Sequence, residues 1–162
     1  MELRPPVTTH RMPDSARVNA GDDRNGCPWH DVLALLRKAR LRPTRQRMAL
    51  GWLLFGKGDR HLTAEMLYEE ANRAKIAVSL ATVYNTLHHF TRAGILREVL
   101  VDATRSYFDT NTSEHQHFFV EDEKSLIDIP GELIAISGVP AVPKGTELAR
   151  IDVVVRVKRP RA

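Results

Sequence analysis

Two histidines one residue apart, His115 and His117, carry the first chemistry that this 162-residue sequence suggests. Their segment is expected to be a β-strand, in which alternate side chains share a face, so both imidazoles could converge on one ion. Carboxylates lie nearby at Asp109 and Asp128, and His61 stands alone before an expected helix. A His-x-His pair is a weak signal by itself, because two surface histidines on a strand often arise by chance.

The single cysteine, Cys27, lies in the stretch GCPWHD, directly before Pro28. One cysteine excludes an intramolecular disulfide and a CxxC zinc knuckle. Pro28 restricts Cys27 to extended conformations, and a helix that begins just after it would favour the thiolate. A thiolate is a good axial ligand for ferric haem, and Trp29 offers a flat apolar surface to a porphyrin. The simpler interpretation is a helix start, with Pro28 in the first turn.

Composition and charge indicate a soluble globular protein with a basic part followed by an acidic part. The chain is 43% apolar and 27% charged, and no apolar run approaches the length of a membrane span. Residues 32–108 contain 13 Lys/Arg against 6 Asp/Glu, whereas residues 109–146 contain 2 against 7. The basic part is therefore the candidate for nucleic-acid binding. The lone cysteine and the lack of a secretory signal predict a cytoplasmic protein with no membrane partner.

The helices that would position these residues follow a polar segment, residues 1–26, whose composition is typical of a disordered arm. Helical spacing of apolar residues then predicts three or four helices in four segments. The third has a Thr63 cap, and the fourth runs from Ser79 to Gly94, a suitable left-handed C-terminal residue. Pro43 is expected in the first turn of the second helix. The four segments are DVLALLRKAR, PTRQRMALGWLLFG, TAEMLYEEANRA and SLATVYNTLHHFTRAG.

After Gly94 the apolar residues alternate, which predicts strands. A hairpin is expected around residues 102–104, with further strands and one short helix, ELIAIS, after it. The predicted strands are ILREVLV, RSYFD, HQHFFVE, SLIDI and ELARIDVVVRVK. The predicted fold class is α+β, with a winged helix-turn-helix domain followed by a small α/β dimerisation domain. We expect a haem regulatory motif and the DNA-binding domain in residues 27–108, and dimerisation and metal sensing in residues 109–162.

The helix that begins at Ser79 has the properties of a DNA-reading helix. Its core face contains Leu80, Val83, Leu87 and Phe90, and its opposite face contains no acid. Asparagine can bond an adenine edge, and alanine, threonine or an aromatic ring can contact a thymine methyl group. The acid-free window 32–58, rich in arginine, suits phosphate contact, although most charge runs are solvated helix faces. The predicted DNA-binding residues are Arg42, Arg45, Arg47, Ala81, Thr82, Tyr84, Asn85 and Arg92, with His89 on the same face.

The segments LRPTRQRMAL, HLTAEMLYEEA and SLATVYNTLHHFTRAGIL resemble the DNA-binding domain of the ferric uptake regulator family. The resemblance runs from about Leu33 to the C-terminus and weakens beyond Ser125. It implies that Tyr84 approaches the DNA bases. It also implies a regulatory metal site whose nitrogen and oxygen ligands suit Mn²⁺, Fe²⁺ or Zn²⁺ without choosing among them. The implied ligands are His61, Asp109, His115, His117 and Asp128.

Two departures from that family point to one of its branches. The usual four-cysteine zinc site is impossible with one cysteine, and Gln116 replaces an acid that serves a second metal site in many members. Both fit the iron response regulator branch, of the rhizobial type with a Cys-Pro haem regulatory motif. This resemblance implies that Cys27 binds ferric haem with His30 as an alternative ligand. A second haem is expected at His115 and His117, in competition with the divalent metal.

The leading hypothesis is a homodimeric regulator, mainly a repressor, of iron and haem metabolism genes. Its expected partners are an A/T-rich operator with dyad symmetry, haem, a divalent metal and a haem-synthesis enzyme that delivers haem. The alternative is a metal- or peroxide-responsive repressor of the same family whose effector is the bound ion. A haem- or metal-dependent enzyme is not favoured, because no nucleophile–base pair stands out and the basic helices would have no role.

Overall fold

The computed structural model describes residues 28–160. The predicted arm and Cys27 lie outside the described residues. Four α-helices precede two small sheets in this part of the chain, which agrees with the predicted α+β class. The helices are α1 (Pro28–Lys38), α2 (Arg45–Phe55), α3 (Ala64–Arg73) and α4 (Leu80–Arg92). The strands are β1 (His61–Leu62), β2 (Arg97–Asp102), β3 (Arg105–Asp109), β4 (His115–Val120), β5 (Ser125–Pro130) and β6 (Val154–Val157).

Hydroxyl side chains cap three of the helices. Thr44, Thr63 and Ser79 each accept a hydrogen bond from the backbone N–H three residues later, which satisfies a donor that the helix leaves unpaired. The predicted Thr63 cap and the predicted start at Ser79 are confirmed. Pro43 is not in the first turn of α2, because Thr44 takes the cap position and Pro43 precedes it. Gly94, with φ of 74°, follows α4 in the left-handed conformation predicted for it.

The four helices enclose one apolar core. Val83, Leu87 and Phe90 of α4 are fully buried, as the helix periodicity predicts, whereas Leu80 is only half-buried because it lies in the first turn. The other fully buried members include Leu36 of α1, Leu50 and Leu54 of α2, Leu67 of α3 and Phe108 of β3. Burial of a side chain of this size contributes roughly 1.5–3 kcal/mol. The recognition-helix candidate is therefore held by one face and leaves the other exposed.

The strands form two sheets that define two lobes. In the first lobe, residues 28–109, strands β1, β3 and β2 lie in that order and are antiparallel. In the second lobe, residues 115–160, central β4 pairs antiparallel with β5 and parallel with β6. The predicted hairpin is confirmed, with Ala103 and Thr104 at its turn. No helix in residues 28–160 is long and apolar enough to span a bilayer.

The connection between β5 and β6 differs from the prediction. The segment ELIAIS, residues 132–137, is not an α-helix. Only a 3₁₀ turn forms at Gly131–Leu133, and the chain is extended after it. Six residues followed by Gly138, with φ of 71°, are too few to offset the entropy of helix nucleation. The last strand is also shorter than predicted, since only Val154–Val157 pairs with β4. Residues 134–153 instead cross the lobe with little regular structure.

The hairpin wing, β2 and β3, packs against the second lobe. Val99, Val101 and Tyr107 of the wing form a small apolar cluster with Phe119 and Leu126 of the second sheet. The Tyr107 hydroxyl donates a hydrogen bond of 2.6 Å to the carbonyl of Lys124. The wing therefore joins the helical lobe to the second sheet.

Gly51 inside α2 is required by the close approach of α1. A Cβ at this position would lie 2.7 Å from Cγ1 of buried Val32. We expect Gly51→Val to lower the free energy of unfolding by about 1–3 kcal/mol, because the added atoms would force the two helices apart. Urea unfolding measures this change. Gln46→Val, on the exposed side of the same helix, is the matched control and should change it by about 0.5 kcal/mol or less.

Candidate metal centre

The five predicted metal ligands come from both lobes, and four of them form two cross-strand pairs. In the first sheet His61 of β1 is directly opposite Asp109, the last residue of β3. In the second sheet His117 of β4 is directly opposite Asp128 of β5. His115 lies two residues before His117, and the strand alternation places both imidazoles on one face, as predicted. Each lobe thus presents a histidine and an aspartate across the junction.

The ligand atoms of these residues converge on one point. One nitrogen or carboxylate oxygen from each of the five lies within 4.8 Å of every other. Asp109 Oδ2 is 2.8 Å from His115 Nε2, 3.1 Å from His117 Nε2 and 3.3 Å from His61 Nε2. Asp128 Oδ1 is 2.8 Å from His61 Nε2 and 3.4 Å from His115 Nε2. This spacing suits ligands around a single ion.

The cluster is enclosed on most sides. Asp109, His117 and His115 are buried, with 0, 1 and 4% of their surface exposed. His61 is half-buried, and Asp128 is exposed, with 38% of its side chain accessible. An ion would therefore meet Asp128 first and the buried ligands afterwards.

The hydrogen bonding of His115 selects one tautomer of its neutral ring. His115 Nδ1 lies 2.8 Å from the carbonyl of Ser113, which can only accept, so Nδ1 carries the hydrogen in the neutral ring. Nε2 then directs a lone pair at the carboxylate of Asp109 and lies 3.0 Å from His117 Nε2. These atoms repel one another unless a proton or a cation lies between them.

His61 adds a second sign that a cation belongs here. Its buried Nε2 lies 2.8 Å from Asp128 Oδ1 and 3.3 Å from Asp109 Oδ2, but neither contact has hydrogen-bond geometry in the described part of the chain. A buried polar atom without a hydrogen bond is rare, and a cation between this nitrogen and the two carboxylates would satisfy it. The donor set fits a divalent ion with affinity for both imidazole and carboxylate, such as Mn²⁺, Fe²⁺ or Zn²⁺.

The electrostatics of the cluster favour ionised Asp109. Burial raises the pKa of this carboxyl group, but its contacts with His117 and His61 and the N–H of Asn111 lower it more, so the pKa falls well below its usual range. Burial lowers the pKa of His61, but the carboxylates of Asp109 and Asp128 outweigh this, and the net shift is upward. A proton on His61 therefore competes with a metal ion for the same nitrogen.

Two residues that the sequence analysis missed, Arg97 and Asp152, lie beside the centre. Arg97 of β2 is buried and contacts the carbonyls of Ser113 and His115, and it forms an ion pair with Asp152. Nothing in the local sequence distinguishes Arg97 from the other arginines of the basic part. Its register opposite Asp109 in the first sheet is what brings it here.

The predicted DNA-binding residues lie on a surface formed by α4 and the start of α2. Ala81, Asn85 and Arg92 are exposed and Thr82 is half-buried. Arg42 and Arg45 are exposed, whereas Arg47 is half-buried and donates to the carbonyl of Arg42 at 3.0 Å. A polar groove of about 460 Å³ runs between the two helices. It is lined by Arg42, Thr44, Gln46, Arg47, Thr82, Asn85, Thr86 and His89.

Tyr84 has a neighbour that the helix wheel did not reveal. Its ring is exposed, and its hydroxyl donates a hydrogen bond of 2.5 Å to Glu65 of α3. α4 itself carries no acid on this face, as predicted. The neighbouring helix nevertheless brings a carboxylate to its edge, which orients Tyr84.

The structure describes three of the four predicted haem ligands. Cys27 lies outside the described residues, and His30 falls in the first turn of α1. His115 and His117 are buried, and their Nε2 atoms point into the shared cluster. A porphyrin could reach those nitrogens only after His61 and Asp128 had moved away. Haem and a divalent ion would therefore exclude each other at this pair.

The helical lobe, its hairpin wing and the ligand cluster at the second sheet define a winged-helix protein with a candidate metal centre between its lobes. Residues 38–153 match the Ferric uptake regulator family, and the chain belongs to that family. Over 98 residues it is 35% identical to the peroxide-responsive repressor PerR of Staphylococcus epidermidis, covering 60% of this chain and 65% of that repressor. The chain thus spans slightly less than two thirds of the length of this curated relative.

Solved structures show the same architecture. The ferric uptake regulator from Pseudomonas aeruginosa with manganese has a TM-score of 0.60 and 26% identity, covering 80% of this chain and 98% of that one. The Vibrio cholerae ferric uptake regulator has the same TM-score at 21% identity, covering 78% and 98%, which supports the fold alone. The predicted fold class is confirmed, and the resemblance drawn from the sequence is confirmed at the level of the family.

One divalent ion should bind at the cluster with an affinity that rises with pH. His61 must lose its proton to bind, and its pKa is raised above the usual 6.5, so the apparent Kd for Mn²⁺ should fall as pH increases through that raised value. His61→Gln should show a shallower pH dependence. His117→Ala should abolish stoichiometric binding, measured by isothermal titration calorimetry, whereas His10→Ala should not. An unchanged stoichiometry in His117→Ala would contradict this site.

Proposed function

We propose that this protein is a DNA-binding transcriptional regulator, mainly a repressor, whose DNA affinity is controlled by a divalent ion. One observation carries the proposal: a His–Asp pair from the helical lobe faces a His–Asp pair from the second lobe. An ion bound to both pairs favours the conformation in which they meet. Metal binding is thereby coupled to the orientation of the helix that reads DNA.

On the proposed DNA surface, different residues provide the affinity for DNA and the choice of base sequence. Arg45 and Arg47 lie in the first turn of α2 and Arg42 shortly before it, and these cations suit contacts with phosphates. Tyr84 and Asn85 lie on the outer face of α4, where an aromatic ring can contact a thymine methyl group and an amide can bond an adenine edge. This division favours an A/T-rich operator, with the basic residues adding salt-dependent affinity.

A homodimer would explain the apolar surface of the second lobe. Phe118 and Ile127, directly opposite each other on β4 and β5, have 37 and 52% of their surface exposed. Leu133, Ile136 and Leu148 of the following crossover are also exposed. An apolar area of this kind, beside exposed strand edges, favours pairing with a second copy. Two copies would present two reading helices to an operator with dyad symmetry.

Replacing the two groups of DNA residues should have different effects. Arg45→Ala should weaken binding to all DNA and reduce the slope of log affinity against log salt by about one. Asn85→Ala should instead reduce discrimination between the operator and random DNA, by about 1–3 kcal/mol. Fluorescence anisotropy at several salt concentrations, with and without Mn²⁺, measures both.

In that experiment Arg159→Ala, on the far second lobe, is the matched control for loss of a positive charge. Equal behaviour of the Arg45 and Asn85 variants would contradict the assigned reading face. DNA affinity that is the same with and without Mn²⁺, while the ion binds, would contradict control by metal.

The stretch GCPWHD favours a finer proposal, in which the regulated genes are those of iron and haem metabolism and haem is a second effector. Cys27 would bind ferric haem through its thiolate, with His30 as an alternative ligand. A second haem at His115 and His117 would displace the divalent ion, because both need the same nitrogens. A haem-synthesis enzyme that delivers haem would be a partner in the cytoplasm.

The relatives favour an alternative in which the bound ion itself is the effector. The similar staphylococcal proteins are peroxide-responsive repressors, and peroxide or metal could act here through the cluster of histidines and aspartates alone. Both versions assign the acid and base side chains of the junction to one metal centre, so no enzymatic activity is proposed.

Haem titration separates these two versions. If Cys27 binds ferric haem, the Soret band of the wild type should show thiolate ligation, and Cys27→Ser should lose that signature and bind more weakly. Haem should also lower the affinity of the wild type for DNA. Identical spectra and affinities for the two proteins would leave the cysteine as a residue that precedes a helix. Absence of haem binding by both would leave the ion as the only effector.

A further inference from the structure

A row of three side chains crosses the first sheet toward the second lobe. His61 of β1 is in register with Asp109 of β3, which is in register with Arg97 of β2. Directly opposite residues on neighbouring strands share a face, so all three point the same way. Two of them belong to the metal centre, and the third is a permanent cation.

Each member of this row contacts a side chain of the second lobe. His61 meets Asp128 at 2.8 Å and Asp109 meets His117 at 3.1 Å. Arg97 forms its ion pair with Asp152, just before β6. The junction therefore contains three acid–base contacts in a line. Two depend on histidines that a metal or a proton can occupy, whereas the third is charged at every physiological pH.

Arg97 also holds the backbone of one metal ligand. Only 6% of its surface is exposed, and its Nη1 donates to the carbonyl of His115 at 3.0 Å and to that of Ser113 at 3.4 Å. The Ser113 carbonyl is the group that accepts from His115 Nδ1 and so directs the Nε2 lone pair inward. Partners of this kind fix the orientation of a ligating histidine.

Asp152, the other end of the ion pair, is fastened to the strand that carries both histidines. The N–H of Val153 donates to Gln116 Oε1 at 2.6 Å, and the N–H of His117 donates to the carbonyl of Val153 at 3.1 Å. The contact between Arg97 and Asp152 therefore crosses the junction, and Val153 next to Asp152 is hydrogen-bonded to β4. It restrains the same two surfaces that an ion would bring together.

We propose that Arg97 is a positioning residue that, through Asp152 and the His115 carbonyl, holds the lobes in the metal-binding geometry before an ion arrives. The inference rests on the metal centre of the proposed function. Without this tie the lobes would sample arrangements in which the two His–Asp pairs do not meet. The apparent metal affinity falls in proportion to the fraction of molecules that remain competent.

The test measures Mn²⁺ binding by isothermal titration calorimetry with the full chain. Arg97→Met and Asp152→Asn should each raise the Kd about 10- to 100-fold, the usual effect of losing a group that orients a metal ligand. The double variant should be only about as weak as the weaker single variant, because both remove one shared contact. Arg97→Lys should recover part of the affinity, since lysine keeps the charge but cannot reach the carboxylate and the carbonyl together.

Arg159→Met is the matched control, because the ion pair of Arg159 with Glu123 lies within the second lobe. It should change the Kd by about twofold or less. Asp152→Asn keeps the bonds from Arg97 to the carbonyls, so it remains informative if Arg97→Met fails to fold. A purely structural role would lower the unfolding temperature without changing the Kd of the folded protein.

The outcomes separate this inference from the proposed function. A Kd for folded Asp152→Asn within about twofold of the wild type would overturn the role of Arg97 while leaving the metal centre in place. Absence of Mn²⁺ binding by the wild type would overturn the metal centre itself, and the inference with it. Strictly additive effects of the two substitutions would also contradict a shared contact.

Discussion

The structure depends on one electrostatic constraint at the junction of the two lobes. Three imidazoles and two carboxylates share a space only a few ångströms wide, and Asp109 and His117 are fully buried in it. Lone pairs directed at one another in a buried volume require a proton or a cation between them. Each sheet supplies a matched His–Asp pair, so neither lobe holds the complete set of ligands. The relative placement of the lobes and the binding of a cation in this space are therefore coupled.

The hairpin wing transmits a change in the relative placement of the lobes to the helical core. In a winged-helix domain the hairpin completes the helical core, and here Phe108 of β3 is part of that core. The opposite face of the hairpin, through Val99 and Tyr107, packs on the second sheet. Any change in the angle between the lobes must be absorbed by this apolar contact or by residues 110–114, which join the sheets. The candidate reading helix and the candidate metal ligands are thus linked through one short hairpin.

The sequence predicted the features that depend on local periodicity. Alternation placed His115 and His117 on one face, and helical spacing identified Val83, Leu87 and Phe90 as core residues. The family resemblance, rather than the spacing, brought His61 and Asp128 into the ligand set. Arg97 and Asp152 could not be predicted, because their contact joins positions 55 residues apart and depends on strand register. The neighbour of Tyr84 was missed for the same reason, since a helix wheel says nothing about the adjacent helix.

The exposure of Asp128 bears on how long an ion would stay bound. Three of the five candidate ligands are buried and His61 is half-buried, whereas Asp128 lies on the edge strand β5 with 38% of its side chain accessible. Departure of an ion would begin with this carboxylate swinging into solvent, where water can replace it, and the inner ligands would release the ion only afterwards. The residence time of the ion would then be set by one surface side chain. The rate at which the bound ion is lost after the metal concentration falls would depend mainly on Asp128. The affinity for the ion would depend mainly on the buried ligands.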